Sequence, residues 1–324
     1  TAYEIHRWLE FRRVLFRSTK TDKVVMRAEN LVVWPESKPV NFEVKRGEIV
    51  GVTGLDGNGQ DDFVKILAGV QEAHGGTTEI LDTNENFIKY SSLENAKKNG
   101  ISFVSGDRKK EGILPNLSIY ENLVVPLYKK TSRAGFLGFI DWLELNGIFE
   151  WEVDRLSIKT GPRDNLIGSL SGGNQQKVMI ARSFAQHPKV LILNDPARGI
   201  DVSTKRDLYV HLRNYVEEGN TVIFLSSELE EFIGLCPKVM VFRNGTVFDI
   251  FENEKINADT LLEGMFGQTA GISETLLSSK TDLNSNIIQN KKITNEKIYQ
   301  KKIVKIVDFE KENKNKTKIK IKTF

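Results

Sequence analysis

A glycine-rich loop at residues 54–61 has the residue types that bind phosphate. It reads Gly-Leu-Asp-Gly-Asn-Gly-Gln-Asp and lies between an apolar segment at 48–53 and a segment with helical spacing at 61–69. Loops in this position place backbone N–H groups and a helix N-terminus around phosphate oxygens. The pattern G-x-x-x-x-G-K-[ST] keeps its glycines, but Gln60 stands at the lysine position and Asp61 at the Ser/Thr position. Taken alone, the loop also fits a plain glycine turn between a strand and a helix.

Further motifs follow in a fixed order later in the chain. The sequence contains Leu-Ser-Gly-Gly-Asn-Gln-Gln-Lys at 170–177, an apolar run at 190–193, Asn-Asp-Pro-Ala-Arg-Gly-Ile-Asp at 194–201 and Ser-Ser-Glu-Leu at 226–229. This succession resembles the signature, the Walker B strand and the D-loop of ABC ATPases. Together with the segments at 103–112 and 117–122, it is similar to the second nucleotide-binding half of carbohydrate and nucleoside importer ATPases. The resemblance covers residues 19–269.

The resemblance implies a fold and a set of partners. The fold is α/β, an ABC-type P-loop NTPase with a mainly parallel sheet core, antiparallel β elements and an inserted helical subdomain at about 115–168. ATP and Mg²⁺ are the implied cofactors. The implied partners are a second nucleotide-binding half, fused or separate, a transmembrane permease and, indirectly, a substrate-binding protein. The implied location is peripheral, on the cytoplasmic face of the cell's inner membrane.

The resemblance also implies which residues of this chain form its own ATP site. Several of them differ from the residues that hydrolytically active ABC ATPases have at these positions. Asn194 and Asp61 stand at the Mg²⁺-binding positions, Asp195 at the catalytic glutamate position and Ser227 at the switch-histidine position, with Gly106 at the Q-loop. The nucleotide-binding positions are Gly54, Asp56, Gly57, Asn58, Gly59, Gln60, Asp61 and Asp62. For phosphoryl transfer to water, the site must neutralise the phosphate charge, coordinate Mg²⁺ and orient the attacking water toward the γ-phosphate. Because these substitutions remove charge and shorten the carboxylate, we expect a degenerate site with weak or absent Mg²⁺ and impaired hydrolysis.

The signature segment keeps its chemistry. Its residues are Ser171, Gly172, Gly173, Asn174 and Gln175. A hydroxyl and backbone N–H groups at a helix N-terminus suit a γ-phosphate, and two glycines allow close approach. Asp201, in the D-loop, is expected to align the opposite site. The resemblance therefore implies that this half completes the ATP site of its partner half.

Other interpretations stay open from the sequence. One is a soluble non-transport ABC protein that acts on the ribosome or as a scaffold, although the motifs at 194–201 and 226–229 speak against it. Another is a fully active ATPase that tolerates the substitutions. Trp34 fits either stacking on adenine or ordinary packing, and the charged run at 107–110 fits either a solvated loop or a permease contact.

The elements around these motifs alternate between strands and helices, which favours an α/β core with a parallel sheet. Apolar runs at 190–193 and 221–225 have the length of buried parallel strands. Asn244-Gly245 lies between apolar runs within 238–248 and predicts a β-hairpin. Residues 115–168 are poorer in strand signals and richer in helical ones.

The two ends of the chain have a net positive charge, whereas residues 19–269, the body of the chain, have a net negative charge. Residues 1–18 have net charge +2 and resemble translated adapter sequence, with a basic amphipathic helix as the alternative. Residues 270–324 have net charge +7 and are predicted to be a low-complexity tail, with a basic arm for RNA or acidic lipid as the alternative. Residues 19–269 have net charge −6, so the body gives no argument for a nucleic-acid partner. The single cysteine, Cys236, excludes an intramolecular disulfide and a Cys-rich zinc site.

Overall fold

The structure is a computed structural model that describes residues 22–128 and 140–267. The predicted leader at 1–18 and the predicted tail at 270–324 lie outside the described residues. Two sheets, one mainly parallel and one antiparallel, combine with helices in the described part of the chain. The predicted α/β class, with a parallel core and added antiparallel elements, is therefore confirmed.

The central sheet has six strands in the order β10-β9-β3-β8-β7-β6. Neighbouring strands are parallel except β9 and β10, which form an antiparallel hairpin. The bounds are β3 (Ile49–Gly54), β6 (Ile101–Val104), β7 (Val190–Asn194), β8 (Thr221–Leu225), β9 (Lys238–Arg243) and β10 (Thr246–Glu252). Every residue of β7 and β8 is buried. Strands covered on both faces read as nearly continuous apolar runs, which is why the sequence predicts them.

The second sheet has four antiparallel strands in the order β2-β1-β4-β5. Its bounds are β1 (Val24–Val32), β2 (Val40–Lys45), β4 (Gly75–Leu81) and β5 (Phe87–Tyr90). Buried residues alternate with exposed ones along β2, as in a sheet with one face toward the core. Phe42 of β2 meets Phe63 of helix α1 (Gln60–Leu67) edge to face, with ring centroids 5.5 Å apart. Helix α1 thus shares one core with both sheets.

The remaining helices divide between the two cores of the described chain. They are α2 (Leu93–Lys98), α3 (Ile119–Val124), α4 (Trp142–Arg155), α5 (Gly172–Phe184), α6 (Val202–Glu217) and α7 (Ala258–Phe266). Helix α2 adds Ala96 to the same core as α1, and α3 to α7 build the other core with the second face of the central sheet. Described residues between β6 and β7 form helices and turns but no strand, and the limits of a helical subdomain at 115–168 stay a prediction. None of the helices within 22–128 and 140–267 is both long and apolar enough to cross a bilayer.

The predicted hairpin and the predicted helix after the glycine loop are confirmed. The hairpin turns at Asn244 and Gly245, whose φ angles are 50° and 74°. A two-residue turn with positive φ at both positions matches the twist of the flanking strands. Helix α1 begins one residue before the predicted 61–69 segment and ends two residues earlier, because Gly69 turns the chain with a φ of 70°.

A buried acid in α4 makes the stability of this fold depend on pH. Glu152 is 1% exposed, and its Oε1 lies 3.4 Å from Nη1 of Arg155. Its Oε2 is buried without a hydrogen-bond partner. Burial raises the pKa of Glu152 to about 7, because desolvation disfavours the charged carboxylate. Folding is therefore most favourable while this carboxyl is protonated.

We expect the Glu152→Gln variant to gain stability over the wild type as pH rises above about 4.5. The unfolded carboxyl ionises near its ordinary pKa of 4.5, so the folded protein loses stability as pH rises from there through 7. The variant should gain up to about 3 kcal/mol of unfolding free energy near pH ~8 and almost nothing near pH ~4. Denaturant unfolding measures both values. Glu150→Gln, on the exposed side of the same helix, is the control, and an equal gain at both pH values would contradict the account.

Candidate nucleotide-binding site

A cleft of about 780 Å³ opens where the parallel strands of the central sheet end. Its walls are the loop between β3 and α1, the loop after β6 and the residues that follow β7 and β8. Ligands of open α/β sheets bind at this carboxyl edge. The predicted residues that line the cleft are Gly54, Asp56, Gly57, Gln60, Asp61, Gly106, Asn194, Asp195 and Ser227.

Two predicted nucleotide-binding residues, Asn58 and Gly59, instead hold the glycine loop against the β9–β10 hairpin. The side chain of Asn58 accepts from the backbone N–H of Asn244 at 3.0 Å, and its carbonyl accepts from the N–H of Gly245 at 2.9 Å. Gly59 has a φ of 96°, and a Cβ on it would lie 2.7 Å from Cα of Gly245. These two residues position the loop and do not line the cleft.

Asp62 is also directed away from the cleft. Its Oδ2 accepts a hydrogen bond of 2.8 Å from Nε1 of Trp34. The indole of Trp34 packs against the hairpin turn, where a Cβ on Gly245 would lie 2.8 Å from the ring. The packing role that the sequence left open for Trp34 is therefore observed. Asp62, predicted as a nucleotide-binding residue, therefore binds Trp34 and does not line the cleft.

The amide of Gln60 binds the glycine loop itself. Its Nε2 donates to the carbonyls of Gly54 at 3.2 Å and Leu55 at 3.0 Å. Its Oε1 is buried without a hydrogen-bond partner. The side chain thus closes the loop on itself and brings no positive charge into the cleft. A phosphate in the loop would meet backbone N–H groups without the charge that a lysine supplies there.

Asp61 and Asn194, at the predicted metal positions, bind each other. Oδ1 of Asp61 accepts from Nδ2 of Asn194 at 2.5 Å, and Oδ2 of Asp61 lies 2.6 Å from Nζ of Lys65. The hydrogen bond with Asp61 raises the pKa of Lys65. A nucleotide-bound Mg²⁺ takes one or two protein oxygens and completes its octahedron with waters and phosphates. Here the carboxylate of Asp61 already has two partners, and the amide of Asn194 presents its NH₂ group to it.

Asp195 and Ser227, at the two predicted catalytic positions, also contact each other. Oγ of Ser227 donates to Oδ2 of Asp195 at 3.0 Å. Asp195 follows β7 with a φ of 47°, and its backbone N–H donates to the carbonyl of Leu225 at 2.8 Å. The short carboxylate is therefore held against the end of β8. Gly106 lies beside Asn194, since a Cβ on it would be 3.2 Å from Oδ1 of Asn194.

The charged loop after β6 forms one wall of the cleft. Arg108 lines the cleft, and its Nη2 would lie 2.9 Å from a Cβ on Gly172 at the start of α5. Further along, the guanidinium of Arg182 in α5 donates to the carbonyl of Gly112. Of the two sequence interpretations, a merely solvated loop is wrong for Arg108. A permease contact stays a prediction.

The signature segment, residues 171–175, lies outside the cleft. Ser171 is the exposed N-cap of α5 but makes no side-chain cap bond, and its Oγ accepts from Nδ2 of Asn174 at 3.1 Å. Nε2 of Gln175 donates to the carbonyl of Leu170 at 3.0 Å, which steadies the loop before the helix. A Cβ on Gly173 would meet only Ile200, at 3.6 Å. The first turn of α5 is therefore open beside Gly173, while Arg108 lies beside Gly172.

Asp201 caps helix α6. Its carboxylate accepts from the backbone N–H of Thr204 at 3.0 Å and from Oγ of Ser203 at 2.5 Å. These hydrogen bonds hold the pKa of Asp201 well below its usual range, so the cap stays charged. Asp201 does not line the cleft, and its expected role at an opposite site stays a prediction.

Several residues of the cleft are not among the predicted site residues. They are Lys65, Ser105, Glu111, Gln176 and Arg198. All but Lys65 lie within the motifs at 103–112, 170–177 and 194–201, so the motifs themselves are the signal. Lys65 has a different signal, because residues four apart on a helix lie on one face and an acid N-terminal to a lysine favours pairing.

Comparison with known proteins identifies a family. Residues 37–198 match the family model described as ABC transporter. The chain is 34% identical to the ribose import ATP-binding protein RbsA of Bacillus cereus over 247 residues, which are 76% of this chain and 49% of that protein. It is 33% identical to the galactose/methyl galactoside import ATP-binding protein MglA of Mannheimia succiniciproducens over 74% of this chain and 47% of that protein. The chain spans about half the length of these relatives.

Solved structures share the fold. A dimeric ATP-binding cassette bound to ADP and phosphate matches with a TM-score of 0.60 and 23% identity, over 70% of this chain and 98% of that one. A nucleotide-free cassette from an ABC transporter matches with a TM-score of 0.61 and 19% identity, over 74% of this chain and 95% of that one. The predicted cassette fold is therefore confirmed.

Alanine substitutions at Gly57 and Gly59 test whether the hairpin turn supports the glycine loop. Both glycines have positive φ, so alanine costs about 1–2 kcal/mol of backbone strain at either position. A Cβ on Gly57 meets nothing within 4 Å, whereas one on Gly59 would collide with Gly245. Gly59→Ala should therefore lower the free energy of unfolding by about 1–3 kcal/mol more than Gly57→Ala. Denaturant unfolding measures the difference, and equal losses would show that the turn does not press on the loop.

Proposed function

Because the chain belongs to the ABC transporter family, we propose that it is a nucleotide-binding half of a sugar importer with a degenerate ATP site of its own. Its signature segment completes the ATP site of a partner half. The ribose and galactose import proteins among its relatives support the sugar class, with nucleosides as the alternative substrate. Their names also favour import over a non-transport role on the ribosome or as a scaffold.

One contrast carries this proposal: the side chains at the chemical positions of the cleft bind each other, while the hydroxyl of Ser171 in the signature segment is exposed. Within the cleft, Asp61 is bound by Asn194 and Lys65, and Asp195 by Ser227. Hydrolysis needs these positions free for metal, water and phosphate. In the signature segment, Ser171 is exposed and makes no cap bond. A hydroxyl and backbone N–H groups at a helix N-terminus suit an incoming γ-phosphate.

The proposal assigns cofactors and partners accordingly. Mg-ATP is hydrolysed at the site that combines the partner half's glycine loop with Ser171, Gly172 and Gly173 of this chain. Asp201, at the start of α6, aligns that shared site. Closure of the two halves acts on a transmembrane permease, which receives solute from a substrate-binding protein. The chain then works at the cytoplasmic face of the membrane as a peripheral component.

The isolated chain is expected to hydrolyse ATP at no more than a background rate. The carboxylate of Asp195 is one methylene shorter than glutamate and is held by Ser227, and misplacement by about 1 Å costs about 10²-fold in rate. Asp195→Asn should therefore leave the background rate unchanged. Phosphate release by the purified chain measures this. An ATPase activity clearly above background that Asp195→Asn abolishes would contradict the proposal that this site is impaired.

Gly173→Asp should stop hydrolysis in a reconstituted complex with the partner half. At a separation of ~4 Å and an effective dielectric constant of ~20, the added charge repels the γ-phosphate by about 4 kcal/mol, or more than ~10²-fold in rate. Folding should tolerate the change, because the site has room and an acid suits the first turn of α5. ATP turnover and solute uptake are the measurements.

Two control variants are needed. One distinguishes the effect of the added charge from that of the added volume, and the other distinguishes the shared site from this half's own cleft. Gly173→Ala fills the same space without charge and should retain most activity. Gln60→Ala removes the amide that closes this half's own loop and should cost far less than Gly173→Asp. If Gly173→Asp leaves both rates near wild type, or if Gln60→Ala is the more damaging change, the division of labour is wrong.

A further inference from the structure

We propose that the ammonium group of Lys65 takes the role of the divalent cation in this half's own cleft, so that the cleft takes an adenine nucleotide without Mg²⁺. The inference rests on the proposed function only in that the cleft takes a nucleotide. It assigns a positioning and charge-compensating role to a lysine that stands outside the motifs of the sequence.

The position of Lys65 follows from helix geometry. Lys65 lies on α1 four residues after Asp61, and side chains of a helix lean toward its N-terminus. Its Nζ therefore lies beside the first turn of α1, 2.6 Å from Oδ2 of Asp61, and the residue lines the cleft. The side chain is 26% exposed, so its charge is partly shielded from bulk water. A phosphate seated at this helix N-terminus would have the ammonium group beside it.

The charges at the metal position are balanced by side chains. Asp61 supplies one negative charge, Lys65 one positive charge, and Asn194 is neutral and turns its NH₂ group toward the carboxylate. A Mg²⁺ ion bound to Asp61 would have to displace the ammonium group and reverse the amide. While Lys65 stays in place, the like charge repels a metal ion at this distance. These residues therefore favour a metal-free nucleotide.

Other side chains can compensate the charge of such a nucleotide. Arg108, Lys109 and Arg198 line the same cleft as Lys65. Guanidinium groups pair with phosphate oxygens through two parallel hydrogen bonds, and ammonium groups pair with them as point charges. The cleft thus presents four cationic side chains from three elements, beside five carboxylates, those of Asp56, Asp61, Asp107, Glu111 and Asp195. Metal-free binding therefore depends on direct pairing of phosphate oxygens with these cations and not on a net positive charge of the cleft.

The test is ATP binding to the full chain with Mg²⁺ or with EDTA, measured by calorimetry at high protein concentration. The wild type should bind ATP about tenfold or more tightly in EDTA than in Mg²⁺, because Mg²⁺ in solution competes with the cleft for the metal-free nucleotide. Lys65→Met keeps the side-chain length but removes the charge, and should lose about tenfold or more in EDTA. Mg²⁺ should restore binding to this variant, because Asp61 and the carbonyl of Asn194 become available as ligands.

The matched control is Lys98→Met. Lys98 forms the same kind of helical pair, 3.1 Å from Glu94 on α2, and does not line the cleft. This variant should bind ATP like the wild type in both buffers. Mn²⁺ in place of Mg²⁺ gives a second readout, because electron paramagnetic resonance should detect a protein-bound Mn²⁺–ATP complex with Lys65→Met and not with the wild type.

Three results would overturn the inference: a wild type that needs Mg²⁺ to bind ATP, a Lys65→Met variant that binds like the wild type in EDTA, or no ATP binding in either buffer. The proposed function is tested separately, by Gly173→Asp in the complex. Metal-independent binding together with an active Gly173→Asp complex would remove the proposed function and leave this inference standing.

Discussion

The parallel pairing of β3, β8 and β7 is the constraint from which the cleft follows. Leu225 at the end of β8 pairs with Val52 on one side and Asn194 on the other, so the loops after these strands begin at one level. Groups that are far apart in the sequence therefore meet. Asp61 and Asn194, separated by 133 positions, share a hydrogen bond at this edge.

Within that cleft, the side chains at the chemical positions bind one another. The NH₂ group of Gln60 donates to loop carbonyls, Asp61 is shared by Asn194 and Lys65, and Ser227 binds Asp195. Such pairing reduces the cost of unsatisfied polar groups in a partly buried site. A hydrolytic site instead keeps its charges directed at phosphate, metal and water. In the signature segment, by contrast, Ser171 is exposed and makes no cap bond.

The sequence predicts the strands of the central sheet and the hairpin at Asn244-Gly245, because buried parallel strands and two-residue turns have strong local patterns. It also predicts most residues that line the cleft, since they lie in ordered motifs. It does not predict the supporting contacts. Asn58 binds the hairpin turn 186 positions away. Asp62 meets Trp34, and Arg108 meets the start of α5. These contacts depend on how distant elements pack, for which local sequence has no signal.

The central claim is that hydrolysis occurs at the partner half's loop, opposite Ser171, and not in the cleft described above. Vanadate trapping in the reconstituted complex, with a photoreactive azido-ATP, tests this most directly because the trapped product labels the half whose loop holds it. The account predicts vanadate-dependent label on the partner half alone, and its loss when Gly173→Asp is introduced into this chain. Vanadate-dependent label on this chain would contradict the account.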